Sequence, residues 1–139
     1  MAPLVLPARL ESLEAIRRFV GEACSEAGLD PTATYNLTLA IDEVATNVIM
    51  YGYAGQESGA EVRLEAEIAE DALTLVMEDQ GIAYDPTQRQ MAEGEFDKAL
   101  EDRGIGGWGV YLALNSVDRF EYERIGERNL NRFVMNRRP

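Results

Sequence analysis

Apolar residues recur every three or four positions in two consecutive stretches of the chain, which is the pattern of amphipathic α-helices. The first predicted helix begins at Ser12 and stops at Gly28, since serine and glycine are favoured at helix starts and ends. The second has Asp30 as its N-cap and Pro31 at its first position, and it is predicted to end near residues 52–55. The apolar faces consist of Leu13, Ile16, Phe19, Val20 and Ala23 in the first helix and Leu37, Ile41, Val44 and Val48 in the second.

Alternation of apolar and polar residues predicts strands elsewhere. Leu4–Leu6, between two prolines, indicates a short edge strand, and residues 61–79 indicate a hairpin. The chain closes with predicted strands Arg119–Arg124 and Arg132–Asn136 around a Gly126-Glu127 turn. This order of elements predicts an α+β fold, a two-layer sandwich with helices on one face of a mostly antiparallel sheet.

The length of 139 residues is that of a single domain, predicted to span residues 1–139. The chain has no histidine, which excludes histidine-based catalysis, histidine metal sites and a phosphohistidine relay within it. Cys24 is the only cysteine, so no intrachain disulfide forms, and its helical register predicts a core position. We expect a cytoplasmic protein with no membrane association, because the sequence has neither a long apolar run nor a secretory signal pattern.

The net charge of −12 is distributed unevenly. Residues 1–102 hold 21 acidic and 6 basic side chains, whereas residues 103–139 hold 4 acidic and 7 basic ones. Binding to nucleic acid is therefore not expected, while a basic protein partner fits the acidic part. Arg17 and Arg18 lie in the middle of the first predicted helix, where they form either a solvated face or a contact surface for a partner.

Glu43 and Asn47 lie four residues apart in the second predicted helix, so their side chains are neighbours beside its apolar face. A carboxylate there can accept a proton from a hydroxyl, and an amide oxygen can ligate a hard cation such as Mg²⁺. An exposed glutamate and an asparagine without a role would give the same pattern. Two glycine motifs further along favour the functional interpretation.

The first glycine motif, Asp79-x-Gly81, ends a predicted strand. Its carboxylate can accept a hydrogen bond from an exocyclic amine, and its glycine allows close approach of the backbone to a flat ring. The second, Gly104-x-Gly106-Gly107-x-Gly109, precedes a helical pattern that includes Val110 and Leu112. Glycines at a helix start leave room for phosphates, which its N–H groups then bind.

These three motifs, in this order, resemble the N box, G1 box and G2 box of the histidine-kinase-like (GHKL) ATPases. Within that superfamily the sequence is similar to the anti-sigma-factor serine kinases of the RsbW and SpoIIAB type. The resemblance covers nearly the whole chain and is carried by the segments AIDEVATNVIMYGY, DQGIAYDP and GGWGVYLALNSVDRFEYER.

The resemblance implies the Bergerat ATP-binding fold, an ATP and Mg²⁺ site, and a homodimer. It implies that Glu43 is the general base, Asn47 the Mg²⁺ ligand and Asp79 the partner of the adenine amine, with Gly81 allowing the adenine loop to pass. The phosphates would be held by Arg103, Gly104, Ile105, Gly106, Gly107, Trp108 and Gly109. The implied partners are an anti-anti-sigma (STAS-domain) protein, which is phosphorylated on a serine, and a sigma factor, with Arg17 roughly at a sigma-contacting position.

The sequence departs from the family pattern in three places. Tyr51 replaces a frequent histidine of the N box, and Ala83 replaces the second glycine of Asp-x-Gly-x-Gly. The superfamily often has a threonine on a late strand near adenine, which the segment Arg132–Val134 lacks.

Residues 85–103 are long, charged and poor in apolar groups, and they lie between the adenine and phosphate motifs. This segment is predicted to be an ATP lid that couples the state of the nucleotide to partner choice. Two alternatives to the kinase remain open at this point. One is an ATP-gated regulatory module that binds a partner without phosphorylating it, and the other is a detached catalytic domain of a histidine kinase.

Overall fold

The computed structural model describes residues 1–53, 59–87, 110 and 112–137. Within these residues it has two long helices, α1 (Leu13–Ala27) and α2 (Pro31–Asn47), and residues 112–114 are also helical. The strands of the described part are β1 (Leu4–Pro7), β2 (Glu61–Ile68), β3 (Ala72–Asp79), β4 (Arg119–Ile125) and β5 (Arg128–Asn136).

These strands form one sheet in the order β1-β2-β3-β5-β4, and every neighbouring pair is antiparallel. β1 lies at an edge of the sheet, as its two prolines predict. Both helices pack on the same face, α1 against β2 and β3 and α2 against β5. The core between the two layers includes Ile16, Leu37, Ile41, Leu75 and Phe133, all fully buried. The predicted α+β two-layer architecture is therefore confirmed.

The predicted ends of the helices are confirmed at three positions. Ser12 precedes α1, and Gly28 follows it with a φ of 73°, a left-handed conformation that glycine adopts without strain. Asp30 caps α2, because its Oδ1 accepts a hydrogen bond of 2.7 Å from the N–H of Ala33.

The end of α2 differs from the prediction of one continuous helix to residues 52–55. The α-helical hydrogen bonds stop at Asn47, and residues Val48–Gly52 form a single π-helical turn. Such wide turns are rare and occur frequently beside functional sites. Here the turn directly follows the Glu43–Asn47 pair.

The start of β5 also differs from the prediction. The strand begins at Arg128, four residues before the predicted Arg132, because the turn consists only of Gly126 and Glu127. Gly126 has a φ of 59°, which suits the two-residue turns that let pairing resume at once, here between Ile125 and Arg128. Two asparagines that the prediction placed before the strand therefore lie on it.

The helix-covered face of the sheet changes from apolar to polar along the strands. At one end Leu73 of β3 pairs with Met135 of β5, and then Leu75 pairs with Phe133. At the other end, Met77 is opposite Asn131 and Asp79 is opposite Asn129. All three of these polar residues are buried, with exposed fractions of 2% for Asp79 and Asn131 and 3% for Asn129.

Cys24 is buried in the core, as predicted, and burial raises the pKa of its thiol. In the part of the chain that the structure describes, no helix combines the length and apolar character needed to cross a membrane.

Candidate functional site

A cavity lies where the polar end of the sheet meets the C-terminal end of α2. Its cavity volume is about 90 Å³, and the empty space that includes its open mouth is about 500 Å³. Helix α2 and the following π-turn contribute one wall, which includes Val44, Asn47 and Val48. The sheet contributes Asp79, Asn129 and Asn131, and the chain after β3 contributes Ile82, Tyr84 and Pro86. Two residues predicted to act together, Asn47 and Asp79, thus line the same cavity.

Asp79 reaches the cavity because it continues the inward-facing row of β3 after Leu73, Leu75 and Met77. Its Oδ1 accepts hydrogen bonds of 2.9 Å from the N–H of Gly81 and 2.9 Å from Nδ2 of Asn129. Burial raises the pKa of the Asp79 carboxyl group, and the charge of Glu78 acts in the same direction. The two hydrogen bonds and the positive charge of Arg124 oppose that shift.

Three buried polar atoms on residues that line the cavity have no hydrogen-bond partner among the described residues. They are Oδ2 of Asp79, Oδ1 of Asn131 and the hydroxyl oxygen of Tyr84. An unpaired buried polar group costs about 1–3 kcal/mol, so folded proteins rarely keep one without a partner such as water or a ligand. Oδ2 of Asp79 accepts but does not donate when ionised, and it therefore suits a ligand with an N–H donor.

Gly81 holds the chain after β3 against the end of the π-turn. A Cβ added at Gly81 would lie 2.6 Å from the carbonyl oxygen of Gly52, so only glycine fits without displacing the backbone. The same carbonyl accepts a hydrogen bond of 2.9 Å from the N–H of Ile82. The hydroxyl of Tyr53 adds a second link, since it accepts from the N–H of Gln80 at 2.6 Å. These contacts fix the loop that follows Asp79 to the turn that follows Asn47.

Glu43 and Asn47 are neighbours on α2, as predicted. Nδ2 of Asn47 donates a hydrogen bond of 3.1 Å to the main-chain oxygen of Glu43, which leaves the side-chain oxygen of Asn47 as the end that can ligate a cation. Glu43 is half-buried and does not line the cavity described above. Its own burial, and then the charge of Asp42, raise the pKa of the Glu43 carboxyl group.

Asn129 is the residue that the sequence prediction missed. The resemblance points to a late-strand threonine near adenine, which Arg132–Val134 lacks, whereas the residue opposite Asp79 in the sheet is Asn129. A signal was present in the alternation, because Asn129, Asn131, Phe133 and Met135 share one face of the strand. Two asparagines at the start of an otherwise apolar face indicate a buried polar site.

Arg17 makes an ion pair with Asp42 of the neighbouring helix, at 2.7 Å between Nε and Oδ1, and its side chain is 50% exposed. Its predicted role in binding a partner is not tested by this contact. Arg103, Gly104, Ile105, Gly106, Gly107, Trp108 and Gly109 lie outside the described residues, as do residues 88–103 of the predicted lid.

Comparison with known proteins matches these features to one family. A sequence model of the histidine kinase-like ATPase domain matches residues 6–135. The serine-protein kinase RsbW of Listeria monocytogenes is 32% identical over 117 residues, covering 83% of this chain and 74% of that protein. A protein of the same name from Bacillus licheniformis is 27% identical over 114 residues, covering 81% of this chain and 71% of that protein.

Two solved structures have a similar fold. The crystal structure of the RsbU and RsbW domains of a Mycobacterium tuberculosis protein matches with a TM-score of 0.61 and 17% identity, covering all of this chain and 34% of that chain. The histidine kinase domain of a blue-light activated histidine kinase from Erythrobacter litoralis matches with a TM-score of 0.57 and 14% identity, covering 88% of this chain and 60% of that chain. At these identities the likeness concerns the fold alone.

Proposed function

Because this chain belongs to the histidine kinase-like ATPase domain family, we propose that it is an ATP-dependent protein serine kinase that acts as an anti-sigma regulatory factor. The observation that carries the nucleotide site is Oδ2 of Asp79, a buried carboxylate oxygen that has no partner among the described residues and belongs to a residue lining the cavity. The relatives named serine-protein kinase RsbW support the reaction and its serine acceptor.

The described residues fit an adenine ring in three respects. Oδ2 of Asp79 would accept a hydrogen bond from the exocyclic amine, which gives the unpaired oxygen a partner. The apolar walls formed by Val44, Val48 and Ile82 suit the faces of a flat base. Gly81 brings the backbone close to Asp79 without a side chain in between.

The same helix would supply the groups that act at the phosphate end. The side-chain oxygen of Asn47 would ligate Mg²⁺, which usually takes few protein ligands and completes its shell with phosphate and water oxygens. Glu43 would accept the proton of the attacking serine hydroxyl, and its raised pKa makes it a better base at neutral pH than an ordinary carboxylate. Bound Mg-ATP supplies the phosphoryl group that is transferred.

The second glycine motif would complete the site. We propose that Arg103 and residues 104–109 hold the phosphates through backbone N–H groups, as expected for glycines before a helix. Backbone donors and Mg²⁺ matter here because a chain with a net charge of −12 has few basic side chains to offer a triphosphate. The lid role of residues 85–103, the single domain over residues 1–139 and the cytoplasmic location stay predictions.

The proposed partners follow from the family and are an anti-anti-sigma STAS-domain protein as phosphate acceptor and a sigma factor as sequestered partner. A homodimer belongs to the same proposal. In such partner switching, the two partners compete for one kinase, and phosphorylation of the first releases the kinase to bind the second.

The substitution Glu43→Gln tests the catalytic part of this proposal. We expect transfer of phosphate from labelled Mg-ATP to a purified STAS-domain protein of the same genome to fall by about a hundredfold or more, because the proton acceptor is lost. ATP affinity, measured by calorimetry, should stay within about twofold of the parent, since a general base acts in the transition state.

Glu22→Gln is the matched control, because Glu22 is an exposed glutamate of α1 and should leave both quantities unchanged. Transfer by Glu43→Gln at the parent rate would exclude Glu43 as the base. ATP binding without transfer by the parent protein to any STAS-domain protein of that genome would instead favour the non-catalytic regulatory module.

A further inference from the structure

A polar row crosses three neighbouring strands at the end of the sheet that bears the cavity. Asp79 of β3 lies opposite Asn129 of β5, and Asn129 lies opposite Arg124 of β4. Residues in such positions have adjacent side chains when they share a face of the sheet. The row therefore connects the buried carboxylate to an exposed arginine on the edge strand.

Asn129 is held in one of its two possible amide orientations. Its Oδ1 accepts hydrogen bonds from the hydroxyl of Tyr122 and from Nη1 of Arg124, the latter at 3.1 Å. The guanidinium of Arg124 can only donate, so the amide oxygen must face it, and the hydroxyl of Tyr122 then donates to the same oxygen. Nδ2 consequently faces the other way and donates to Oδ1 of Asp79 at 2.9 Å and to the carbonyl oxygen of Ile82 at 2.8 Å. A flipped amide would direct its oxygen at a carboxylate and a carbonyl.

The orientation of Asn129 determines which oxygen of Asp79 is available. Oδ1 is occupied by Asn129 and by the N–H of Gly81, and only Oδ2 is left without a partner among the described residues. Without the donor from Asn129, Oδ1 would keep only the N–H of Gly81, and the carboxyl group would be less restrained in its rotation about its last bond.

Arg124 also holds the loop after β3 directly. Its Nη1 donates to the carbonyl oxygen of Gly81 at 2.9 Å, and its Nε donates to the carbonyl oxygen of Gly126 in the β4–β5 turn at 3.0 Å. One guanidinium thus contacts the turn, the orienting amide and the loop that carries Asp79. Its planar group of fixed donors suits this task, whereas a lysine has a single ammonium on a flexible stem.

From this geometry we infer that Arg124 and Asn129 are positioning residues that set the preference of the site for a 6-aminopurine over a 6-oxopurine. The inference rests on the proposed ATP site and adds the residues that make it selective. Arg124 acts from the edge of the sheet through Asn129, and neither needs to contact the base. In this role, a change at Arg124 alters the choice of base rather than the binding of phosphates.

The test compares ATP with inosine triphosphate, which carries a carbonyl in place of the 6-amine, by calorimetry with Mg²⁺. We expect the parent protein to favour ATP by at least about tenfold, the value of a hydrogen bond to a charged group. Arg124→Met should lower this ratio by about threefold to tenfold, mainly through weaker ATP binding. Asn129→Leu should lower the ratio at least as far as Arg124→Met does, because Oδ1 of Asp79 then keeps only the N–H of Gly81.

Arg119→Met is the matched control, since Arg119 lies on the same strand, is exposed and forms an ion pair with Glu121 at 3.6 Å on the opposite face of the sheet. It removes the same charge and should leave the ratio unchanged. Because Arg124 is exposed, Arg124→Met is expected to fold. It therefore tests the inference even if Asn129→Leu fails to fold. An unchanged ratio in Arg124→Met, with a selective parent protein, overturns the inference.

A ligand-free measurement separates this inference from the ATP site itself. Titration of the Asp79 carboxyl carbon by NMR should give a higher pKa in Arg124→Met than in the parent, and an unchanged pKa in Arg119→Met. If the parent binds no nucleotide but this shift is seen, the proposed function fails while the positioning of Asp79 stands. If the pKa is the same in all three proteins, Arg124 does not act on Asp79.

Discussion

The two faces of the sheet carry polar groups in opposite ways. On the outer face, Arg63, Arg119, Arg128 and Arg132 each lie within 2.9–3.6 Å of a glutamate, and these side chains remain partly exposed. On the helix-covered face, Asp79, Asn129 and Asn131 are only 2–3% exposed, and two of them have acceptor atoms without partners in the described structure.

The exposed ion pairs of the outer face interact with water, whereas the buried acceptors of the helix-covered face are available to a ligand. Exposed ion pairs form and break at little cost, since water replaces either partner. A buried acceptor has no such substitute, and its lost hydrogen bond lowers the stability of the free protein. The helix-covered face therefore lowers the stability of the free protein, and a nucleotide bound as proposed would restore it.

The substitution Gly81→Ala, beside the polar end of the helix-covered face, should have the largest effect on stability. The added Cβ would lie 2.6 Å from the backbone oxygen of Gly52, and a backbone atom cannot move aside as a side chain can. We expect the free energy of unfolding in urea to fall by about 3 kcal/mol, the upper part of the range for overpacking. Gly21→Ala is the control, because Gly21 lies inside α1 with nothing within 4 Å of its added Cβ. It should instead raise stability by about 0.5–1 kcal/mol, and equal effects of the two changes would contradict the close contact.

Asn129 and Asn131 allow a buried amide with hydrogen-bond partners to be compared with one whose oxygen has none in the described chain. They lie two residues apart on the same face, with exposed fractions of 3% and 2%. Asn129 uses its amide in hydrogen bonds to Asp79 and Arg124, among others, so Asn129→Leu should cost about 1–3 kcal/mol. Asn131 has a buried oxygen without a partner in the described chain, so Asn131→Leu should raise the stability of the free protein by about 1 kcal/mol.

Thermal and urea unfolding of both leucine variants without nucleotide would measure this difference in sign. The stability gained by Asn131→Leu should come with weaker Mg-ATP binding, because a polar wall of the cavity is lost. Destabilisation of similar size in both variants would show that Asn131 has a partner in the free protein.

Glu123→Gln tests the outer face and should have the smallest effect. Glu123 lies 2.9 Å from Arg132, but its side chain is 50% exposed, so we expect a loss of less than about 0.5 kcal/mol. Nucleotide affinity and the preference for ATP should not change. A loss above 1 kcal/mol at 0.5 M salt, where exposed charges are screened, would show that the Glu123–Arg132 pair stabilises the fold and is not merely a solvated surface contact.

The sequence was sufficient for elements whose signals are local. The cap at Asp30, the stop at Gly28 and the hairpin over residues 61–79 each depend on nearby residues, and all three predictions are confirmed. The Glu43–Asn47 spacing also gave the right neighbours, because helix geometry fixes which residues are adjacent.

What the sequence did not provide was the pairing between distant strands. Asn129 lies 50 residues from Asp79, and their contact depends on the register between β3 and β5, two strands that no short turn connects. The π-turn after Asn47 was missed for a related reason, since its last carbonyl contacts the distant residues Gly81 and Ile82. Both errors concern the site, where contacts between distant segments decide the local structure.

The contact between Gly81 and Gly52 limits which substitutions position 81 can accept during evolution. Every single-base change in a glycine codon is either silent, a stop, or a replacement that adds at least a Cβ. Every amino acid replacement of Gly81 by a single-base change therefore introduces the clashing Cβ. A smaller neighbouring side chain could not relieve this clash, because the atom in the way is the main-chain carbonyl of Gly52. Replacement of this glycine would require the loop and the end of the helix to move apart together. We therefore expect Gly81 to persist in related sequences for as long as the loop keeps its contact with Gly52.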